Sequence, residues 1–159
     1  MKTSLCTVLR NTRAFAIVAG LVSVLAACAP LIADYDLEAY KNATTLKAET
    51  AGLIDKSDEP YAAHKGDVDT ITTRINAAYE FAAGLPANAL SARQWDLLRG
   101  ESLYGGFLVT WAMQGTTSPA YRTEKKRQLN EAYDQIICLE VNKKDATTCA
   151  AAAAMGGSQ

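Results

Sequence analysis

At 159 residues the chain is long enough for one domain with a real core, and its 16 basic and 17 acidic side chains nearly cancel, to a net charge of −1. That balance excludes a general nucleic-acid binder, which would carry a basic surface. Four prolines, ten glycines and abundant alanine point to a helical class, and no solenoid-period repeat or long linker interrupts the chain.

The first segment carries Lys2, Arg10 and Arg13 and no acid, then an apolar run from Ala14 to Ala27 broken only by Ser23. This is the layout of an export signal: a positive start, an apolar middle and small residues at the cut. Cys28 follows directly on Leu25-Ala26-Ala27. That tetrad resembles the lipobox of bacterial lipoproteins. The resemblance implies cleavage of residues 1–27 before Cys28, diacylglycerol on its sulfur and a third acyl chain, typically palmitate, on its amine. No cofactor beyond these covalent lipids is expected. Position 29 is Ala rather than Asp, which in that family implies the periplasmic face of the outer membrane, with the inner membrane as the alternative. The competing reading is an uncleaved span reaching Ala33, about the 20 residues needed to cross a bilayer. Against it, the strongly apolar part is shorter and Pro30 interrupts the extension.

Removing residues 1–27 takes away three basic and no acidic residues, so 13 Lys+Arg face 17 Asp+Glu, a net charge near −4 over 132 residues. Residues 28–33 form the lipidated cysteine and a short tether. Its five residues, Ala29 to Ala33, reach less than roughly 20 Å.

The bundle is expected over residues 34–143. The first helix is predicted from Asp34 to about Lys56, with Asp34, Asp36 and Glu38 favoured at its positive end. Ala39, Ala43, Leu46, Thr50 and Leu53 recur at alternating spacings of four and three and form one face. Asp58 is the predicted N-cap of the second helix, with Pro60 in its first turn. The seam of that helix is Tyr61, His64, Val68, Ile71, Ile75, Ala78 and Ala82, and Gly84-Leu85-Pro86 stops it. Ser91-Ala92-Arg93-Gln94 reads as a capping box for the third helix, with Leu90 and Trp95 as its hydrophobic staple. That helix is expected to pause near Gly100, resume through Phe107 and Trp111, and end at Gly115. Ser118-Pro119 opens the fourth, as N-cap and first helical residue, and it fades near Val141 to Lys143. Residues 144–159 form an alanine-rich tail, read as a frayed helix or a disordered segment. No segment alternates with period two. The expected fold is an all-α, antiparallel up-and-down bundle of about four helices, the third broken.

Four features bear on function. His64, the single histidine, is either a core imidazole bonded to a neighbour or a ligand or proton sensor, and it has no partner at metal-ligand spacing. Gly105-Gly106 should cost about 2 kcal/mol in a helix interior, so a kink, a close crossing or a ligand lying on the backbone is expected there. Arg122, Lys125, Lys126 and Arg127 crowd the start of the last helix, either as a solvated face paired with acids or as a surface for anionic headgroups or an acidic partner. Cys138 and Cys149, an even pair in an exported domain, form either a disulfide or two free thiols. No nucleophile elbow, phosphate loop or zinc-protease motif appears, so no catalytic or metal-binding residue is assigned and the chain is not read as an enzyme. The reading is a membrane-anchored binding or accessory subunit with a protein partner in the envelope. The alternative is a small-ligand carrier or sensor with a cavity near His64, Trp95 and Trp111.

Overall fold

A computed structural model describes residues 34–143 and 148–149. The signal segment, Cys28, the tether through residue 33 and the rest of the tail lie outside the described residues. Within them the protein is an all-α bundle with no strand.

Helix α1 spans Leu37–Asp55. Asp36 caps it, accepting from the amides of Glu38 at 2.8 Å and Ala39 at 3.0 Å, so two of the unpaired amides of the first turn are satisfied. Asp34 and Tyr35 precede the helix rather than opening it. The predicted face is the buried one: Ala39, Ala43, Leu46, Thr50 and Leu53, joined by Ile54.

The second helix, α2, spans Lys65–Gly84. It starts seven residues after the predicted cap. Asp58 makes no helix cap; it ends a 3₁₀ turn, Lys56–Asp58, and a second such turn covers Tyr61–His64. The reason is tertiary. The Trp111 indole N–H donates to the Glu59 carbonyl at 3.0 Å, and the Tyr61 amide donates to the Gly115 carbonyl at 3.0 Å. These bonds hold the segment open where a helix would continue. Val68, Ile71, Ile75, Ala78 and Ala82 are buried as their spacing predicts.

The third helix is broken. Its parts are α3, Ala89–Arg99, and α4, Tyr104–Gln114. The capping box does not form. Ser91 lies inside α3, fully buried, and its hydroxyl donates to Glu140 Oε1 at 3.3 Å. Leu90 is 38% exposed and Trp95 2%, so the staple does not form either. The glycine pair sits in the first turn of α4 rather than in a helix interior. A Cβ on Gly106 would collide with the Glu101 carbonyl, and one on Gly105 would press on those of Arg99 and Gly100. The glycines thus let the first turn of α4 lie against the backbone of the break just before it, a local approach rather than a crossing of two helices. Gly115 ends α4 with φ +77°, its amide on the Trp111 carbonyl at 2.9 Å.

Helix α5 spans Pro119–Val141, with Ser118 accepting from the Tyr121 amide at 3.3 Å and Pro119 in the first turn, as predicted. Cross-helix pairs establish the antiparallel order. Thr50 meets Tyr133 while Asp55 meets Lys126. Glu49 meets Arg74 while Lys56 meets Asp67. Arg99 reaches Asn76 while Asn88 reaches the Ala82 carbonyl. Trp95 packs edge-on to Tyr133, and Ser91 reaches Glu140. The bundle therefore has a proximal end, where Asp34, residues 85–88 and the end of α5 meet, and a distal end formed by residues 56–64 and 115–118.

Candidate functional site

At the distal end, Ser57 and Thr117 clamp two loops together. The Thr117 amide donates to the Ser57 carbonyl at 2.7 Å, and the two hydroxyls share a 2.6 Å hydrogen bond, both residues buried. Beside this clamp, the His64 ring lies 5.9 Å from the Trp111 ring. Its Nε2 is 2.8 Å from Glu59 Oε2 and its Nδ1 3.6 Å from Asp67 Oδ2, with 14% of the side chain exposed. Lys56 holds the Asp67 carboxyl below its usual range, and His64 adds to that shift. His64 is thus a half-buried residue of a 3₁₀ turn, hydrogen-bonded to Glu59 with Asp67 nearby, rather than a member of the α2 seam. Among the described residues, no group of three His, Cys, Asp or Glu side chains is placed to hold a metal ion.

Trp95 does not join this group. It stands level with Tyr133, roughly 21 Å along α5 from Pro119 by helix rise, whereas Trp111 touches the distal loop. A cleft of about 440 Å³ opens at the helix break, lined by Asn76, Asp96, Arg99 and Tyr104 among others, and one of about 300 Å³ lies between α1 and α2 beside Glu49 and Arg74. His64, Trp95 and Trp111 line neither.

Three of the four cations of α5 reach other parts of the bundle, and Arg127 pairs within α5 itself. Arg122 donates to the Thr117 carbonyl at 2.6 Å and stands 3.8 Å from Asp58. Lys125 reaches the Ser102 carbonyl at 3.3 Å, in the break of the third helix, and Gln128 at 2.9 Å. Lys126 donates to both oxygens of Asp55 at 2.7 Å. Arg127 bridges Glu124 and Glu131, each at 2.6 Å. Arg127, then Gln128, hold the Glu124 carboxyl below its usual value. Lys126 fastens α5 to the end of α1, and Lys125 fastens it to the helix break.

The polar feature that sequence reasoning missed lies at the proximal end. Glu140 and Lys143 form an ion pair at 3.0 Å with side chains only 1% and 4% exposed. Lys143 also donates to Asn88 Oδ1 at 2.9 Å, and Asn88 Nδ2 donates to the Ala82 carbonyl at 2.9 Å. Ser91 completes the set on Glu140 Oε1. Glu140 Oε2 has the ammonium beside it but no aligned donor. Cys138 and Cys149 are joined in a disulfide next to this cluster, with Asn142 Nδ2 3.4 Å from the Cys138 sulfur. The only advance signal was the spacing of Glu140 and Lys143, one helical turn apart.

No known family model, curated protein or solved structure matches the chain.

Proposed function

We propose that the mature chain is a lipid-anchored, periplasm-facing helical lipoprotein that acts as a binding or accessory subunit of a cell-envelope assembly. The observation that carries this reading is Cys28 directly behind Leu25-Ala26-Ala27, at the end of a basic and then apolar leader. The rest of the chain supports a scaffold that binds. Among the described residues no helix is long and apolar enough to cross a membrane. The histidine and the α5 cations are occupied in bonds within the bundle. By contrast, α4 turns Val109 and Met113 outward at the distal end, Met113 with 82% of its surface exposed. Large apolar side chains left in water at one end of a bundle are the raw material of a protein contact.

Two experiments test the proposal. Cys28→Ser should abolish incorporation of labelled palmitate and leave an unprocessed precursor; unchanged labelling removes the anchor. Photo-cross-linking from position 113 in intact envelopes should trap one discrete protein, and a smear or no adduct argues against an adaptor. The carrier alternative draws less support, because Trp95 and the His64–Trp111 pair stand at different levels of the bundle.

A further inference from the structure

Given the anchor proposed at Cys28, we infer that the bundle stands on the bilayer by its proximal end, through an apolar rim of Tyr35, Leu37, Leu90 and Val141. All four are substantially exposed, and they come from three separate elements: the start of α1, the start of α3 and the last residue of α5. The antiparallel order brings these three termini to one end. Ser91 on Glu140 locks the start of α3 to the end of α5. The register of Lys47 with Asp134 runs the end of α5 toward the start of α1.

Chain length selects the occupant. The helix begins at Leu37 rather than Asp34, so residues 29–36 separate Cys28 from α1, a reach of under roughly 30 Å at full extension. Helix α1, at 19 residues, is about 28 Å long. Contact by the distal end would require the linker to run the whole length of the bundle with nearly all its slack removed. Contact by the proximal end leaves the linker loose, so it avoids that entropic cost. Half-exposed Tyr and Leu side chains at such an end suit the interfacial layer of a membrane, where one edge of the side chain is wet and the other apolar.

Charge decides the kind of contact. Asp34, Glu38 and Glu80 are exposed toward this end and Asp36 serves as the cap, against the exposed cations Lys41 and Arg93, so acids outnumber bases there among the described residues. Anionic headgroups are repelled there, so the contact is apolar and should strengthen as salt screens the acids. The same placement leaves Val109 and Met113 facing away from the membrane, toward a partner.

With Cys28 acylated and Cys138 bonded to Cys149, a new cysteine is the one free thiol of the mature chain and takes a polarity-sensitive dye selectively. Lipidated protein carrying Leu90→Cys, Leu37→Cys or Met113→Cys is labelled and reconstituted in 3:1 phosphatidylethanolamine–phosphatidylglycerol vesicles, with and without brominated acyl chains. Dyes at positions 37 and 90 should shift to the blue and lose at least half of their emission to bromine, increasingly with salt, while position 113 stays unquenched. Quenching at 113 equal to or above that at 90 and 37 overturns the orientation. A chain that is never acylated and does not float with vesicles overturns the anchor, and the bilayer contact with it.

Discussion

Glu140 and Lys143 face each other at 3.0 Å in a site almost closed to water. The pair joins the end of α5 to Asn88 and Ser91 at the start of α3, so it closes the proximal end of the bundle. A buried pair of this kind contributes little against an apolar replacement, but losing one partner strands the other charge. Lys143→Met should therefore lower stability by about 3–5 kcal/mol, whereas Glu140→Leu combined with Lys143→Met should cost less, about 1–3 kcal/mol, for the Asn88 Oδ1 and Ser91 hydroxyl left without these partners. Urea unfolding followed by circular dichroism separates the two outcomes. A single mutant within about 0.5 kcal/mol of wild type would show that water reaches Glu140.

The Cys138–Cys149 disulfide closes a loop with a sequence separation of 11 that contains Lys143. Chain entropy assigns so short a loop at most about 3 kcal/mol. Replacing both cysteines by Ser should cost about 2–3 kcal/mol, and reducing agent should reproduce the loss in wild type but not in the variant. Because the loop holds Lys143 in place, the loss should not add to that of Lys143→Met. Strict additivity in a double-mutant cycle would separate the disulfide from the buried pair.

The faces of α1 and α2 were legible because they obey one rule: apolar residues three and four apart, from Ala39 to Leu53 and from Val68 to Ala82, must turn inward together. Ser118-Pro119 was legible for a similar reason, since a cap bonds within its own turn. What failed depended on distant groups. Ser91 has the spacing of a capping box, but Glu140, 49 residues later, takes its hydroxyl. Asp58 precedes a proline as a cap should, but Trp111 and Gly115 hold its neighbours in 3₁₀ turns. Of the candidate site, the histidine with Trp111 came together and Trp95 did not, because the break at Gly100 sets α3 and α4 at different levels of the bundle. The burial of Glu140 and Lys143 has no local signature, because their partners Asn88 and Ser91 lie 55 and 49 residues away in the sequence.

Two glycines should respond to alanine with opposite sign. At Gly106 a methyl group meets the rigid carbonyl of Glu101, so Gly106→Ala should cost about 1–3 kcal/mol by overpacking the helix break. At Gly52, in α1, a methyl group meets nothing within 4 Å. Gly52→Ala should then stabilise by about 0.4–1 kcal/mol, through the unfolded chain's lost freedom. Denaturation midpoints of the two variants decide it, and equal shifts of one sign would mean that the break relaxes around the added methyl.

Alkaline pH should unfold the bundle through two tyrosines. Burial pushes the Tyr104 phenol up to about 12, against the opposing hydrogen bond with Thr72 at 3.2 Å. Burial also raises Tyr133, against its hydrogen bond with Thr50 at 2.9 Å. The folded state thus holds both protons where an unfolded chain, with phenols near 10, begins to release them. Because the folded values are raised, their contribution is complete below about pH 10 and is lost as pH climbs above it, for Tyr104 through about 12. Each tyrosine should steepen that loss by up to about 1.4 kcal/mol per pH unit. Urea midpoints measured from pH 8 to 11.5 should stay level and then fall. Tyr104→Phe should begin about 1 kcal/mol lower, having lost the Thr72 bond, yet decline less steeply. A parallel decline in wild type and variant would place the alkaline loss elsewhere than in Tyr104.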